Sequence, residues 1–125
     1  MKLLIVDDSL VIRNKINRGL LKEFDSVSRA SNGVEALEIV KRERPDIITM
    51  DLTMPEMDGV ECIEHVMEVA PETYILVISA LADKATAVKA LMLGANGFLC
   101  KPFTEQELTE AIAKVLDLKL YSHES

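Results

Sequence analysis

Five apolar stretches of four or five residues recur along the chain, and longer stretches with a different periodicity separate them. The stretches at 3–6, 47–50 and 74–78 are almost wholly apolar, which predicts strands that are buried on both faces. The stretches at 27–30 and 97–100 are more polar or shorter, as suits the two edges of a sheet. The pattern therefore predicts three central strands and two edge strands.

The connecting stretches repeat apolar residues every three or four positions, as an amphipathic helix does. In the first of them the repeat consists of Ile12, Ile16, Leu20 and Phe24. The next three helices are predicted to end before Pro45, before Pro71 and near Gly94. Thr104 followed three residues later by Glu107 is a capping box, which predicts the start of a fifth helix.

Alternation of strands and helices is typical of βαβ units and a parallel sheet. With right-handed crossovers, the central and edge strands take the order 2-1-3-4-5. The predicted fold class is thus α/β, a doubly wound, flavodoxin-like sheet of five strands in a three-layer sandwich. We expect one domain over residues 1–117. Residues 118–125 show no repeat and are expected to form a short, frayed tail.

Composition narrows the classes of protein that the chain can represent. With 49% hydrophobic and 28% charged residues, it is neither disordered nor a membrane protein, and its apolar runs fall short of the roughly 20 residues that a span needs. A net charge of −7 argues against nucleic acid as a partner. Cys62 and Cys100 lack metal-ligand spacing, so they are expected to be core residues in a reducing compartment, the cytoplasm.

Acidic residues stand at the carboxyl ends of two central strands. Asp7 and Asp8 follow the first strand, and Asp51 ends the third. The strand order reverses between these two strands, and ligands of open α/β sheets bind at such a switch point. Ser79 and Lys101 end the next two strands on the same rim. We therefore expect these five side chains to lie near one another.

Three carboxylates held together repel one another unless a cation lies among them. Oxygen ligands with open positions suit Mg²⁺, which binds through one or two carboxylates and a phosphate. A metal-bound carboxylate beside a lysine is a phosphoryl acceptor, because metal and ammonium neutralise the charge that develops on the phosphoryl oxygens. Each residue alone has a plainer explanation: Asp8 or Ser9 as a helix cap, Ser79 as a turn residue, Lys101 as a solvated strand end. Together they indicate an aspartyl-phosphate site.

This set of residues closely resembles the receiver domain of two-component response regulators, over the chain as far as about Leu116. The motifs that carry the resemblance are Asp7-Asp8-Ser9, Asp51 with the segment 54–59, Ser79-Ala80 and Lys101-Pro102-Phe103. The resemblance implies that Asp51 accepts a phosphoryl group from the phosphohistidine of a histidine kinase. It also implies that Asp7, Asp8, Asp51 and the main-chain carbonyl of Thr53 hold Mg²⁺.

The resemblance further implies that Ser79 and Lys101 bind the phosphoryl oxygens, and that the Lys101–Pro102 peptide bond is cis. In this family a tyrosine often switches with phosphorylation, but here the matching residue is Phe98, which has no hydroxyl. Ser79 and Phe98 are therefore the expected switch residues. Because Phe98 has no hydroxyl, we do not expect a partner surface that recognises a tyrosine hydroxyl at this position.

As a member of this family, the chain would be a cytoplasmic, single-domain regulator of the chemotaxis type, with a phosphorelay intermediate or phosphate sink as the alternative. It would be no enzyme beyond catalysing its own phosphorylation and dephosphorylation. The implied partners are a histidine kinase of the CheA type, a downstream protein bound by the fourth helix, fifth strand and fifth helix, and a phosphatase. The chain is expected to be a monomer that binds neither nucleic acid nor a membrane.

Two other classes share parts of this pattern. A phosphatase of the haloacid dehalogenase type needs a second aspartate two positions after its nucleophile, but the residue two positions after Asp7 is Ser9. A flavodoxin-like flavin carrier needs a phosphate-binding loop after the first strand, where Asp7-Asp8 would repel a phosphate. Aromatic residues to sandwich a flavin are also scarce, at 4% of the chain.

Overall fold

A single sheet of five parallel strands, in the order β2-β1-β3-β4-β5, forms the centre of the computed structural model. The structure describes residues 1–20, 22–52, 58–80 and 84–122, the last two of these by their main chain only. The strands are β1 (Lys2–Val6), β2 (Ser26–Ala30), β3 (Ile47–Asp51), β4 (Tyr74–Ala80) and β5 (Gly97–Lys101). The predicted α/β class, strand number and strand order are confirmed.

Five helices alternate with the strands, as α1 (Leu10–Leu20), α2 (Gly33–Glu43), α3 (Gly59–Val69), α4 (Lys84–Met92) and α5 (Glu105–Ser122). One face of the sheet packs against α2, α3 and α4, through apolar residues such as Ala36, Ile63 and Ala90. The other face packs against α1 and α5, where Ile16 and Ile112 are buried. The sheet is thus covered on both faces, which is why its central strands are almost wholly apolar.

The strand register brings the predicted site residues to one edge of the sheet. Val6 lies opposite Met50 in the pairing of β1 with β3, so Asp7 and Asp51, the next residue on each side, lie at the same level of the sheet. Asp51 in turn lies opposite Ile78, one residue before Ser79. Because parallel strands end on the same side, the acids at the ends of β1 and β3 meet there.

Two predictions about helix ends are wrong. Helix α1 ends at Leu20, so Phe24 is buried but lies after the helix. The predicted tail is helical as far as Ser122, because α5 continues through residues 118–122. The apolar repeat fails there because Lys119 makes the inward contacts, 5.1 Å above the Tyr74 ring and 3.9 Å from Asp46, whereas Leu118 and Leu120 are exposed. Residues 123–125 lie outside the described residues.

The local sequence signals for the start of α5 and the end of α4 are confirmed. The Thr104 hydroxyl accepts a hydrogen bond from the Glu107 main-chain N–H, and the Glu107 carboxylate accepts one from the Thr104 N–H, both at 3.0 Å. Gly94, after α4, has a φ of 124°, which a side chain would disfavour. Within the described ranges, no helix is long and apolar enough to cross a membrane.

Candidate functional site

Three carboxylates converge at the carboxyl edge of the sheet. Oxygen atoms of Asp7, Asp8 and Asp51 all lie within 4.8 Å of one another. Asp7 and Asp51 are buried, with 1% and 5% of their surface exposed, whereas Asp8 is exposed. The cluster is therefore open to solvent on the Asp8 side and closed beneath by the sheet.

Asp7 is fixed in place by hydrogen bonds on both its main chain and its side chain. Its N–H donates to the Ala30 carbonyl at 3.1 Å, and its Oδ1 accepts from the Ser9 N–H at 2.8 Å. The Arg13 guanidinium donates to the Asp7 main-chain carbonyl at 2.7 Å. Ser9 itself caps α1, since its hydroxyl accepts from the Ile12 N–H at 3.3 Å. Asp7 is thus held firmly at the base of the site.

Lys101 reaches the acids from the end of β5. Its ammonium nitrogen lies 3.0 Å from Asp7 Oδ2 and 3.6 Å from Asp51 Oδ1. Burial lowers the pKa of this ammonium, but the hydrogen bond with Asp7 and the charge of Asp51 outweigh it, so that its pKa is raised above the ordinary value. Lys101 therefore stays charged at neutral pH. Its peptide bond to Pro102 is cis, as the resemblance implies.

The donor set fits a divalent cation with hard oxygen ligands. The three carboxylates outnumber the Lys101 ammonium, so these four groups carry a net charge of −2. Carboxylate oxygens are the ligands that Mg²⁺ favours, and the exposed side at Asp8 leaves room for the waters that it keeps. These acids are therefore the candidate ligands for Mg²⁺. Thr53, the fourth predicted ligand, lies outside the described residues.

Gly59, at the start of α3, lies against the main chain that carries Asp51. Its N–H donates to the Leu52 carbonyl at 3.0 Å. A Cβ atom at Gly59 would lie 2.3 Å from the Asp51 carbonyl oxygen and 2.5 Å from the Leu52 Cα, both closer than real Cβ contacts. A residue with a side chain would have to displace the end of β3 or the start of α3.

The two predicted switch residues lie on neighbouring strands. Ser79 is buried near the end of β4, opposite Cys100 of β5. Phe98 is half-buried on β5, opposite Val77, and packs against the apolar cluster that α4 completes. Ser79 therefore lies one residue before the end of the strand beside the one that carries Asp51, and Phe98 lies two residues before Cys100, the residue opposite Ser79.

Three residues that shape this site were missed by sequence reasoning. Arg13 and Lys15 carry charges that are typical of a solvated helix face, yet both are half-buried and donate to main-chain carbonyls, of Asp7 and Phe103 respectively. Their positions flank the apolar repeat of α1, which is the signal that could have indicated partial burial. Gly59 was seen only as part of a loop motif, because a close backbone approach leaves no mark on hydrophobic periodicity.

Comparison with known proteins gives one family. Residues 3–113 match the model of the response regulator receiver domain. The chemotaxis protein CheY of Thermotoga maritima is 39% identical over 115 residues, which cover 91% of this chain and 96% of that protein. CheY of Bacillus subtilis is 38% identical over 117 residues, which cover 93% and 98%.

Solved structures agree with this assignment. The receiver domain of AraT, a response regulator from Geobacillus stearothermophilus, superposes with a TM-score of 0.89 at 34% identity, covering 99% of this chain and 98% of that one. Vibrio cholerae CheY4 superposes with a TM-score of 0.83 at 32% identity, over 91% and 97%. The chain belongs to the receiver domains of response regulators.

Proposed function

We propose that Asp51 is the phosphoacceptor of a chemotaxis-type response regulator. The observation that carries this proposal is the position of Lys101, whose ammonium lies within 3.6 Å of both Asp51 and Asp7 while Asp8 opens the cluster to solvent. The relatives named CheY, which this chain matches over 96% and 98% of their length, favour the chemotaxis role.

The phosphoryl group comes from a phosphohistidine of a histidine kinase, of the CheA type. The phosphorus–nitrogen bond of the phosphohistidine breaks as a bond forms between phosphorus and an Asp51 carboxylate oxygen. Asp51 attacks as the carboxylate, so it needs no base to remove a proton. The Lys101 ammonium neutralises charge on the phosphoryl oxygens as the group passes between the two proteins. The chain thus catalyses its own phosphorylation, and hydrolysis of the acyl phosphate by water releases inorganic phosphate and restores the Asp51 carboxylate.

Asp7, Asp8, Asp51 and the Thr53 main-chain carbonyl would hold Mg²⁺ in this proposal. When bound, Mg²⁺ supplies positive charge to the phosphoryl oxygens. Because the ligands must be ionised, Mg²⁺ affinity should fall as the pH is lowered through the carboxylate range, about pH 4. Asp8→Asn should weaken Mg²⁺ binding and phosphorylation together. Tight Mg²⁺ binding that does not change with pH would contradict a carboxylate site.

In the same proposal, phosphorylation of Asp51 changes the conformation of Ser79 and Phe98. The Ser79 hydroxyl donates to the phosphoryl oxygens, and its movement makes space into which the Phe98 ring turns. A two-state element biased by a local charge is a common basis of such switches. The face formed by α4, β5 and α5 then binds a downstream protein, and a phosphatase resets the switch. The exposed Val88, Leu91 and Met92 of α4 support an apolar contact on this face.

The direct test compares two aspartate variants under the same conditions. With Mg²⁺ and acetyl phosphate, the wild type should gain one phosphoryl group by intact mass and Asp51→Asn none. Asp58→Asn is the matched control, because Asp58 is an exposed N-cap of α3 and asparagine caps a helix equally well. If Asp51→Asn gains the phosphoryl group as fast as Asp58→Asn does, Asp51 is not the phosphoacceptor.

The readout has its own test. Ser79→Ala should still accept a phosphoryl group yet lose the phosphorylation-dependent binding of the downstream protein. Phe98→Tyr should keep that binding, because the proposed signal depends on shape and apolar contact rather than on a hydroxyl. If Ser79→Ala couples phosphorylation to binding as strongly as the wild type does, the proposed switch is wrong.

A further inference from the structure

Lys15 makes two contacts with the loop that follows Lys101. Its ammonium donates a hydrogen bond to the Phe103 main-chain carbonyl and lies 4.6 Å from the centroid of the Phe103 ring. Lys15 is half-buried, and Phe103 is almost wholly buried, with 3% of its surface exposed. A cation that is withdrawn from water and held against both a carbonyl and a ring is restrained more tightly than a solvated side chain.

The two segments that this contact joins are the ones that bring the site together. Helix α1 begins three residues after Asp7 and carries Lys15 on its second turn. Phe103 lies two residues after Lys101, whose ammonium contacts the acids. One side chain therefore ties the element after the acid pair to the loop after the lysine.

Two other features also restrain this loop. The capping box of Thr104 and Glu107 fixes the start of α5, and the Phe103 ring lies in the apolar cluster beneath α1 and α5. Among the residues that the structure describes, the hydrogen bond from Lys15 is the one that joins the Phe103 main chain to α1. Charged donors make stronger hydrogen bonds than neutral ones, so loss of this bond would let the loop drift from α1.

We propose that Lys15 is a positioning residue for phosphoryl transfer: it holds the loop after β5 against α1 and thereby keeps the Lys101 ammonium 3.0 Å from Asp7 and 3.6 Å from Asp51. This role rests on the proposed function of Asp51 as the phosphoacceptor. Because catalysis by positioning depends on geometry, a displacement of about 1 Å can cost on the order of a hundredfold in rate.

Three variants of the whole chain test the proposal. Lys15→Met keeps the length and apolar stem of the side chain but removes the ammonium, and Lys15→Gln is a neutral variant with a polar end. At saturating acetyl phosphate and Mg²⁺, both should be phosphorylated about tenfold more slowly than the wild type. Lys15→Arg can still donate to the carbonyl and lie over the ring, so it should recover most of the rate. Each variant should still bind Mg²⁺, because all three carboxylates remain.

Lys119 provides a matched control at the other end of the sheet. Its ammonium also lies over an aromatic ring, 5.1 Å from the centroid of Tyr74, and 3.9 Å from Asp46. Lys119→Met should lose a similar amount of stability in urea while keeping the wild-type rate of phosphorylation. Equal rates for Lys15→Met, Lys15→Gln and the wild type would overturn the proposal, as would an equal loss of rate in Lys119→Met.

Failure of this proposal can be told apart from failure of the proposed function. If Asp51→Asn is phosphorylated like the wild type, the phosphoacceptor is another residue and both proposals fall. If phosphorylation depends on Asp51 but not on Lys15, only the positioning role is wrong.

Discussion

Replacing Gly59 by alanine adds one methyl group to a position that has no room for it. The new Cβ would lie 2.3 Å from the Asp51 carbonyl oxygen, and real Cβ atoms keep at least 3.0 Å, so the main chain must move by about 0.7 Å. Overpacking of this kind costs about 1–3 kcal/mol. Alanine also raises the free energy of unfolding by roughly 0.4–1 kcal/mol, because it restricts the conformations of the unfolded chain. We expect a net loss of about 1–2 kcal/mol in the free energy of unfolding.

The same shift should also lower the rate of phosphorylation, because the clash is with the main chain of Asp51 itself. A displacement of about 0.7 Å predicts a phosphorylation rate lower by roughly ten- to a hundredfold. Urea unfolding measures the first effect, and the rate of phosphorylation by acetyl phosphate at saturating Mg²⁺ measures the second.

Gly19→Ala is the control for this experiment, since it makes the same chemical change within α1. There the nearest atom to a new Cβ is the Leu108 Cδ2 at 3.2 Å, the end of a side chain that can move. Alanine is favoured over glycine inside a helix by about 1 kcal/mol, so stability should hold or rise and the rate should not change. If Gly59→Ala loses stability yet keeps the wild-type rate of phosphorylation, the start of α3 moves instead of the end of β3, and the reasoning about Asp51 is refuted.

Three further predictions follow from buried or restrained groups. Thr49→Val should raise the free energy of unfolding by about 1 kcal/mol in urea, because the buried Thr49 hydroxyl has no hydrogen-bond partner among the described residues; a loss of stability would contradict this. Hydrogen bonds from the Ser28 hydroxyl and from Arg42 lower the pKa of Glu43 below its usual 4.5. Their contribution to the free energy of unfolding is therefore present above pH 4.5 and is lost as the pH falls through the lowered pKa. Ser28→Ala should therefore destabilise the chain by roughly 0.5–1 kcal/mol at about pH 7 and by less at about pH 3, and equal losses would contradict the linkage. Burial raises the pKa of the Cys62 thiol to about 12, so iodoacetamide should leave Cys62 unmodified in the native chain and modify it in urea, as peptide mass mapping can show; rapid native alkylation would mean that the residue is not buried.

Much of the fold could be predicted because its signals are local. The apolar strands, the Thr104–Glu107 capping box and the glycine after α4 each act over a few residues, and the structure has them where the sequence places them. Asp7, Asp8, Asp51 and Lys101 could be brought together because parallel strands all end on one side. Strand order alone therefore sufficed to predict the core of the site.

The remaining features depend on contacts between distant parts of the chain. Lys15 looks like a solvated residue beside a helical repeat, and Lys119 falls in a stretch without a repeat, yet each lies against an aromatic ring that is far away in sequence. Gly59 shows its role only when β3 and α3 are packed together. Hydrophobic periodicity cannot reveal such contacts, because they involve the stems of charged side chains and the main chain rather than an apolar face.

The central claim is that Asp51 carries the phosphoryl group, and its chemistry allows a direct measurement. An aspartyl phosphate is an acyl phosphate, which borohydride reduces to homoserine, so the modified residue leaves a permanent mark. After treatment with acetyl phosphate, Mg²⁺ and borohydride, peptide sequencing by mass spectrometry should find homoserine at position 51 and aspartate at positions 7 and 8. Homoserine at either of those positions, with Asp51 intact, would contradict the account.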